Sequence, residues 1–434
     1  AARIIRRENP LPSICGRVCF HPCESACNRG EVDEPVSICR LKRFALEKAG
    51  PSDIPAKKPL TGKKVCIIGS GPSGLAAAHS LALMGHEVTV RESLPVLGGM
   101  LAVGIPEYRL PEDILKKDID AIKALDVQCT INTPVKDQQT ADTINEQSVA
   151  VFIGAGAHMS RTMNIPGEDT GNVIHGIDFL RKHSLHQPVQ TGKKVIVVGG
   201  GNTAIDAART VKRLGAELVT MLYRRTAEEM PASREEREAA LEEGIVIKYL
   251  ISPVKVINRN EVICGVECLK MKLGEVDDSG RRKPIPVEGS ETTIECDMLI
   301  PAVSQFSDKK LADLFGLEVT PWATIVTHPL TLATDQEGIF AGGDVVTGPS
   351  SVIEAISQGK RAAISINNYI MGKSPGEGLK EKEKISNPLS DKELFAYRNS
   401  LEKTKRIEPD EETITGRVRD FREVEKTYTE EQAR

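Results

Sequence analysis

The fold is decided by a stretch of sequence that occurs twice. Thr61–Gly74 reads TGKKVCIIGSGPSG, and Thr191–Ala204 reads TGKKVIVVGGGNTA. In both copies an apolar run of β type leads into a glycine cluster, and an alanine-rich amphipathic segment and a second apolar run follow. Strand, tight glycine turn, helix and strand make up the βαβ unit. The repeat therefore predicts an α/β fold that contains two such units.

The composition narrows the class of protein. The chain has 434 residues, of which 40% are hydrophobic and 27% charged, and its formal net charge is −4. This charge balance does not favour a nucleic-acid partner, and no stretch reaches the roughly 20 apolar residues that cross a bilayer. The first residues, AARIIRRENP, are too polar and basic for a signal peptide. We expect a cytoplasmic protein without membrane insertion.

The two ends of the sequence predict a fragment of a longer polypeptide. The first residue is not Met, and the last residues read TYTEEQAR. From Lys373 onward the chain is highly charged and poor in aromatic residues. Such composition is typical of a solvated tail or of an arm that lies on a partner.

The first glycine cluster predicts a dinucleotide site. Gly69, Gly71 and Gly74 follow the run KKVCII and open a helix. In such a turn the first glycine permits the bend, the second lets the backbone approach a pyrophosphate, and the third lets helix and strand pack closely. Glu92 ends the second strand about 20 residues further on, where an acidic side chain can bind ribose hydroxyls. A βα turn without a ligand is the alternative.

Two later glycine pairs bear on the identity of this nucleotide. Gly98 and Gly99 follow shortly after the second strand, and GIFAGGDVVTGP places Gly343 and Asp344 behind another apolar run. Here the sequence resembles the two-dinucleotide-binding flavoproteins. The resemblance implies that Asp344 contacts the flavin ribitol, and that a helix with Val352 in its first turn points its N-terminus at the isoalloxazine. A surface turn is the alternative for this GGD segment.

The second glycine cluster predicts a nicotinamide nucleotide site. Its candidate contacts are Gly199, Gly201, Asn202 and Ala204. The strand that follows ends on Arg224 and Arg225, where the first unit has an acid. An acid at this point favours the free 2′-hydroxyl of NAD, whereas arginines offer bidentate contacts to a 2′-phosphate. The pattern therefore favours NADP(H) over NAD(H), and a solvated strand end is the alternative for the two arginines.

Half of the ten cysteines lie within the first 39 residues. Four of them recur every four residues: Cys15, Cys19, Cys23 and Cys27. In a chain without a secretion signal such crowding favours metal binding over disulfides. Thiolates at this spacing can converge on an iron–sulfur cluster, and zinc is the alternative on the pattern alone.

No protein side chain is predicted to act as a catalytic acid or base. In hydride transfer between a nicotinamide and a flavin, the cofactors carry the chemistry and the protein aligns them. Cys264 and Cys268 have three residues between them, so they do not form the redox pair of disulfide reductases. Electrons would leave by another route, for which the N-terminal cysteines are the candidates.

Several segments are shared with one family. PLPSICGRVCFHPCESACNRG, GSGPSGLAAA, GIPEYRLP, GGGNTAIDAAR, YRRTAEEMPA and AGGDVVTGPSSVIEAI together resemble the glutamate synthase small-subunit-like oxidoreductases, over residues 10–373. That family is related to the flavin half of dihydropyrimidine dehydrogenase and to the large subunit of electron-bifurcating NADH-dependent ferredoxin:NADP oxidoreductase. The resemblance implies FAD at the first site, NADPH at the second, and [4Fe–4S] chemistry at the N-terminus.

The sequence departs from that family around the cluster. Three of the four cysteines match family ligands: Cys19, Cys23 and Cys27. Cys15 matches a position that is not always a ligand, and relatives carry a further cysteine group upstream. Lys42 stands where some relatives have Gln or Glu as a fourth ligand, and Cys39 lies near enough to replace it. The number of clusters therefore stays open.

The sequence thus predicts two Rossmann-like dinucleotide-binding domains, with the FAD domain interrupted by the NADP domain, and a small helical N-terminal iron–sulfur domain. The predicted boundaries are 1–55 for the iron–sulfur domain, 56–188 and 301–373 for the two parts of the FAD domain, 189–300 for the NADP domain, and 374–434 for the charged tail or partner-binding arm.

The favoured function is an NADPH-linked subunit that passes electrons between NADP(H), FAD and a [4Fe–4S] cluster to a protein partner. The complex would have several subunits, and electron bifurcation is one form it could take. Two alternatives stay open. One is a glutamate synthase small subunit that supplies an amidotransferase large subunit, and the other is an FAD-binding relay that does not turn over nucleotide.

Overall fold

Two parallel sheets, one behind each glycine loop, organise the chain. The computed structural model describes residues 1–49, 55–260, 262–277, 280–379, 390–400 and 403–434. The strands are β1 (Lys64–Ile68), β2 (Glu87–Arg91), β3 (Gln128–Thr130), β4 (Ala150–Ile153), β5 (Met159–Ser160), β6 (Lys194–Val198), β7 (Leu218–Tyr223), β8 (Val246–Tyr249), β9 (Ile251–Arg259), β10 (Val262–Val276), β11 (Arg282–Pro286), β12 (Thr292–Glu295), β13 (Met298–Pro301), β14 (Gln305–Phe306) and β15 (Ile339–Ala341).

Helices cover both sheets and form the two ends of the chain. They are α1 (Ala2–Glu8), α2 (Pro12–Val18), α3 (Pro22–Ser25), α4 (Ile38–Lys48), α5 (Pro72–Leu83), α6 (Met100–Val103), α7 (Glu112–Lys123), α8 (Gln138–Gln147), α9 (Gly176–Ser184), α10 (Asn202–Arg213), α11 (Arg234–Glu242), α12 (Lys309–Leu314), α13 (Asp344–Thr347), α14 (Val352–Ile370), α15 (Asp391–Ser400), α16 (Ile414–Arg417) and α17 (Glu430–Ala433). Within the described ranges, no helix combines the length and the apolar character that a membrane crossing requires.

The first sheet has the strand order β15–β4–β1–β2–β3, and all its neighbours are parallel. The second sheet has the order β13–β6–β7–β8 and is also parallel. Their central strands β1, β4 and β6 are short apolar runs that are buried almost throughout. Such runs are typical of parallel sheets with helices on both faces. Strands β9 to β12 add an antiparallel sheet to the second unit.

The second domain is inserted into the first. The chain leaves the first sheet after β4, forms β6 to β13, and returns to the first sheet only at β15. At the crossing the two connecting segments pair as the antiparallel ribbon β5–β14, with Met159 opposite Phe306. The predicted fold class, a dinucleotide-binding domain interrupted by a second one, is therefore confirmed. The domain boundaries in residue numbers stay a prediction.

The N-terminal helices share a hydrophobic core with the first domain. Leu11 and Ile14 are buried in the same cluster as the apolar faces of α5 and α7. Asp118 on α7 caps α2, because its Oδ2 accepts hydrogen bonds from the backbone N–H groups of Ser13 (2.8 Å) and Ile14 (3.0 Å). The carboxylate thereby satisfies two donors that the helix leaves unpaired. The predicted small helical N-terminal domain is present and is joined to the first domain by this core.

Residues 403–434, here called the C-terminal segment, lie on the chain itself. Glu423 accepts from the Arg17 guanidinium on α2 (2.6 Å), and the N–H of Val424 donates to the carbonyl of Tyr108 (3.0 Å). The segment therefore contacts both the N-terminal helices and the loop before α7.

Arg417 connects the C-terminal segment to the second domain. Its side chain is buried, and it pairs with Glu411 of its own segment at 2.6 Å. It also pairs with Glu242 at the end of α11 and lies 3.7 Å from the Glu243 carboxylate. The guanidinium thus holds acidic groups from two parts of the sequence.

We expect Arg417→Ala to lower the free energy of unfolding by about 1–3 kcal/mol, because two carboxylates lose a buried charge-assisted partner. Glu243 keeps its pairs with Arg209 and Arg213, which limits the loss. Denaturant unfolding followed by circular dichroism measures the change. Arg422→Ala is the control, because Arg422 pairs with Asp420 at the surface, and it should change the stability by less than about 0.5 kcal/mol. Equal effects of the two substitutions would contradict this assignment.

Candidate functional site

A large cavity lies between the two domains. Its volume is about 1430 Å³, and both glycine loops line it. Pockets for one small ligand usually measure about 300–1,000 Å³. This cavity therefore has room for more than one mononucleotide-sized group.

The first glycine loop makes two close backbone approaches. Gly69 has a φ of +100°, and a Cβ there would lie 2.5 Å from the carbonyl oxygen of Gly154. A Cβ at Gly74 would lie 2.0 Å from the carbonyl oxygen of Gly69. Gly71 caps α5 at the cavity, where a Cβ would meet only the Gly154 oxygen, at 4.0 Å. The first and third glycines are therefore required by the fold, and the second leaves space for a ligand.

Glu92 lines the cavity and also holds this loop. Its Oε2 accepts hydrogen bonds from the N–H of Ser70 (2.9 Å) and from Ser70 Oγ (2.6 Å). Its Oε1 accepts from the N–H of Leu94 at 2.8 Å. Ser70 Oγ in turn accepts from the N–H of Gly98 at 3.0 Å. The ribose contact of Glu92 stays a prediction, whereas its loop-anchoring bonds were not anticipated from the sequence.

Gly98 and Gly99 bring a second turn against the first loop. Their φ angles are +118° and +56°, in the region that favours glycine. A Cβ at Gly99 would lie 2.9 Å from the Cα of Gly71. The two turns are therefore packed backbone to backbone beside the cavity.

Asp344 lies where the long helix α14 reaches the cavity. Gly343 has a φ of +81°, and its N–H donates to Gln358 Oε1 on that helix at 2.7 Å. Asp344 Oδ1 accepts from the N–H of Ser350 at 3.2 Å, and burial raises the pKa of this carboxyl to about 6. Val352 is the first residue of α14 and lines the cavity. The helix N-terminus adds a partial positive charge at this wall.

The second glycine loop presents an unsatisfied polar atom to the cavity. Gly199 has a φ of +146°, and a Cβ there would lie 2.3 Å from the carbonyl oxygen of Ala302. Gly201 caps α10 and has open space around it. Asn202 lines the cavity, and its Oδ1 is buried without a hydrogen-bond partner. A buried polar atom without a partner beside open space favours a ligand at this point. Ala204 is buried beneath the loop.

The two arginines after β7 differ in their surroundings. Arg225 is buried, and its Nη2 pairs with Asp277 Oδ2 at 2.6 Å while its Nε donates to the carbonyl of Arg282 at 2.7 Å. Arg224 is exposed at the cavity. Both arginines therefore line the end of the cavity next to the second glycine loop, but the Arg225 guanidinium is already paired with a carboxylate of the same chain.

An ion pair at the cavity wall was not singled out from the sequence. Arg109, from the segment before α7, pairs with Asp206 on α10 at 2.8 Å and with Glu236 on α11 at 2.8 Å. Arg109 and Asp206 both line the cavity. Arg109 lies within the motif GIPEYRLP, but its acidic partners belong to the second domain and could not be predicted from the motif.

The N-terminal cysteines are not brought together into a closed ligand set. Cys15 and Cys39 are buried, and Cys39 Sγ lies 3.3 Å from the carbonyl oxygen of Cys15. Burial raises the pKa of the Cys15 thiol to about 11 and that of Cys39 to about 12. Cys23 is exposed, and Cys19 and Cys27 are half-buried. Among the described residues, no three His, Cys, Asp or Glu side chains are grouped closely enough to hold a metal ion.

The cavity fits dinucleotides, and the cysteines as placed do not by themselves form a cluster site. Two helix N-termini behind glycine turns, open backbone at Gly71 and Gly201, and the unpaired Asn202 oxygen are features that a bound dinucleotide would use. Val18 and Phe20, on either side of Cys19, also line the cavity. The N-terminal segment therefore borders the cavity, and its ligand set stays a prediction.

Two family models match the chain. Residues 63–359 match the model described as pyridine nucleotide-disulphide oxidoreductase. Residues 1–53 match the model described as dihydropyrimidine dehydrogenase domain II, 4Fe-4S cluster. The first match spans both glycine loops, and the second spans the five N-terminal cysteines.

Curated relatives align with most of the chain. It is 42% identical to the NADP(+)-dependent formate dehydrogenase subunit beta of Moorella thermoacetica, over 97% of this chain and 64% of the relative. It is 45% identical to the NADPH-Fe(3+) oxidoreductase subunit beta of Geobacter sulfurreducens, over 85% and 59%. The glutamate synthase [NADPH] small chain of Escherichia coli is 34% identical, over 85% and 83%. The chain therefore spans less than two thirds of the length of the first two relatives.

Solved structures share the fold at low sequence identity. FprA of Mycobacterium tuberculosis in complex with NADPH superposes with a TM-score of 0.62 at 19% identity, over 74% of this chain and 87% of that one. Thioredoxin reductase of Lactococcus lactis superposes with a TM-score of 0.55 at 20% identity, over 71% and 99%.

These matches confirm three predictions made from the sequence. They are the resemblance to the glutamate synthase small-subunit-like oxidoreductases, the fold class, and the cofactor set of FAD, NADP(H) and a [4Fe–4S] cluster. The individual cofactor contacts stay predictions.

Gly71→Ala should remove FAD without unfolding the protein. The residue has a φ of −66°, which any residue adopts, so the added methyl fits the fold but occupies the space next to the predicted pyrophosphate. We expect the affinity for FAD to fall at least about tenfold, measured by flavin absorbance after dialysis. Gly171→Ala, where a Cβ meets nothing within 4 Å, is the matched control. Full flavin content in the Gly71 variant would show that this position does not face the ligand.

Asp344→Asn should change how stability depends on pH. The unfolded pKa of about 3.8 rises to about 6 in the fold, so the folded state disfavours the ionised carboxyl. Its contribution is fully present below pH 4 and is lost as the pH rises through 6. The flavin-free variant should therefore gain about 2 kcal/mol relative to the wild type between pH 4 and pH 7.5, as measured by urea unfolding. Asp335→Asn, at an exposed aspartate, should show no such gain, and a pH-independent difference for Asp344→Asn would contradict the assignment.

Proposed function

Because the chain belongs to the pyridine nucleotide-disulphide oxidoreductase family, we propose that it is an NADPH-dependent flavin oxidoreductase subunit that exchanges electrons with a protein partner. The observation that carries the proposal is the shared cavity, onto which both glycine loops and the N-terminus of α14 open. A nucleotide on each loop would place its reactive ring within the same cavity. That arrangement suits direct hydride transfer between two bound cofactors.

The chain's own residues would bind, orient and shield the reactants. The N-termini of α5 and α10 would hold the two pyrophosphates through backbone N–H groups. The N-terminus of α14 would favour negative charge on the ring in front of it. When bound, FAD supplies a two-electron acceptor that can also release electrons one at a time. No acid or base of the protein is needed for hydride transfer, so alignment and the exclusion of water are the tasks left to the fold.

The N-terminal segment is the proposed side from which electrons reach the partner. Val18 and Phe20 line the cavity on either side of Cys19, and residues 1–53 match a [4Fe-4S] family model. Two of the relatives are named as beta subunits and a third as a small chain, which supports a complex with further subunits. A complex that bifurcates electrons is one form of this function. All ten cysteines are free, which supports a reducing compartment such as the cytoplasm.

A glutamate synthase small subunit is the second candidate. The observation in its favour is that this chain covers 83% of the length of the Escherichia coli small chain. Supplying the purified protein with an amidotransferase large subunit, NADPH, glutamine and 2-oxoglutarate tests it. Formation of glutamate that depends on this chain would favour this candidate over the first.

Anaerobic titration of the purified holoprotein with NADPH and, separately, with NADH tests the proposed function. We expect NADPH to bleach the flavin absorbance at a concentration at least about tenfold below that of NADH, because arginines at the second site favour a 2′-phosphate. An iron–sulfur signal in electron paramagnetic resonance should follow the bleaching. Bleaching by NADH alone would overturn the nucleotide preference, and a flavin that neither nucleotide reduces would favour a relay without nucleotide turnover.

A further inference from the structure

The C-terminal segment contains a hairpin whose two sides pair with each other. The N–H of Glu412 donates to the carbonyl of Val424 (2.9 Å), and the N–H of Lys426 donates to the carbonyl of Asp410 (2.8 Å). Residues 413–423, which include α16, form the loop between the two sides. The segment therefore has a backbone hydrogen-bond framework of its own.

The paired sides of this hairpin lie on the N-terminal helices and on the first domain. Arg40 and Arg43 of α4 pair with Glu425 at 3.2 and 3.7 Å. The N–H of Val424 donates to the carbonyl of Tyr108, in the loop before α7, at 3.0 Å. The base of the hairpin is thus attached to the part of the chain that carries the first glycine loop.

The loop of the hairpin reaches the second domain. The Arg417 guanidinium pairs with Glu242 at the end of α11. The ring of Phe421 packs against the ring of His183 in the last turn of α9, with 4.4 Å between the ring centroids. On its other side Phe421 lies 6.4 Å from the ring of Tyr108. One short loop therefore contacts both domains.

Helix α9 itself lies between the two domains at the cavity. Its Phe179 is buried in the cluster around the second sheet. A Cβ at Gly176, its first residue, would lie 3.4 Å from Thr203 Cγ2 in the first turn of α10. A Cβ at Gly104, which ends α6 of the first domain, would lie 3.1 Å from Ile177 Cδ1. The start of α9 therefore touches both nucleotide sites, and Phe421 supports its other end.

We propose that Phe421 is a positioning residue for hydride transfer, because by supporting α9 it fixes the distance and the angle at which the two glycine loops face each other. This role rests on the proposed NADPH-dependent function, since it concerns the alignment of two bound nucleotides. Reacting atoms have to lie about 3–3.5 Å apart, and a misplacement of about 1 Å can lower the rate on the order of 100-fold. Phe421 acts through His183 and α9, and not by contact with a nucleotide.

Anaerobic single-turnover reduction of the flavin by NADPH in the Phe421→Ala holoprotein tests this role. We expect the rate at saturating NADPH to fall about 10- to 100-fold, because the two loops lose their fixed alignment. The Kd for 2′,5′-ADP, a fragment of NADPH, should stay within about twofold, because the second loop keeps its own structure. Phe421→Tyr keeps the ring and should keep the rate within about twofold. Phe395→Ala, which removes an exposed ring of α15, is the matched control and should leave both values unchanged.

Hydrogen–deuterium exchange followed by mass spectrometry gives a readout that does not depend on turnover. In Phe421→Ala the amides of α9 and of the ribbon β5–β14 should exchange at least about threefold faster than in the wild type, because the contact between the domains loosens. The amides of β1 and β6, inside the two sheets, should exchange as in the wild type. A general destabilisation of the fold would instead accelerate exchange in these strands as well.

A double-mutant cycle tests the route through α9. If Phe421 acts through His183, His183→Ala should also slow flavin reduction, and the variant with both rings replaced by alanine should be no slower than Phe421→Ala alone, within about twofold. Losses that multiply would show that the two rings act separately, and would overturn the assigned route.

The outcomes separate the role of Phe421 from the function on which it rests. If the wild type reduces its flavin with NADPH and Phe421→Ala does so at the same rate, Phe421 is not a positioning residue. The role also fails if the rate falls but exchange accelerates throughout both sheets, because the effect is then one of stability. If the wild type reacts with neither nucleotide, the proposed function itself fails, and unchanged exchange in α9 would then overturn the support by Phe421 independently.

Discussion

The buried ion pair between Arg109 and Asp206 is the contact on which the site depends. Arg109 belongs to the first domain and Asp206 to the second, and the two charged groups meet at 2.8 Å beside the cavity. Burial raises the pKa of the Asp206 carboxyl, and the arginine opposes that rise. Removing one partner while the domains stay together would leave the other charge buried and unpaired, which costs far more than the pair contributes when it is formed. The two glycine loops are thereby kept facing one another.

Polar contacts determine how the two domains are held together because the buried apolar clusters of the two sheets are separate. The buried clusters around the second sheet draw on that sheet, its helices and α9, and contain no strand of the first sheet, whereas the N-terminal helices share their cluster with the first sheet. The covalent connection is the two-stranded ribbon β5–β14. Next to Arg109, the ring of Tyr108 lies under the guanidinium groups of Arg209 and Arg213, at 4.7 and 4.0 Å. The orientation of the domains is therefore set by a network of charges, to which the C-terminal segment adds Arg417.

The glycine loops could be predicted from the sequence because the backbone conformation that demands glycine is set largely within each turn. At Gly74 the atom that excludes a side chain is the carbonyl oxygen of Gly69 in the same turn, and Gly69 itself has a φ of +100°. The close approach of Gly154 to Gly69 comes from the end of β4 and could not be predicted from the motif. The placement of Arg225 could not be predicted, since its partner Asp277 lies 52 positions away, just after β10. The pairing of Arg17 with Glu423 spans 406 positions. The charged composition of the C-terminal segment gave no sign that its acids would find partners on the N-terminal helices.

The two ends of the cavity present different charged groups, and we expect this difference to favour a different nucleotide at each end. At the first loop the Glu92 carboxylate already accepts hydrogen bonds from Ser70 and Leu94, so it can favour a neutral sugar but would repel an additional phosphate. At the second loop the exposed Arg224 lines the cavity beside Arg225, whose guanidinium pairs with Asp277. A nucleotide with an extra phosphate is attracted to the second end and repelled from the first. Two loops of nearly the same sequence can therefore bind different dinucleotides without exchanging them.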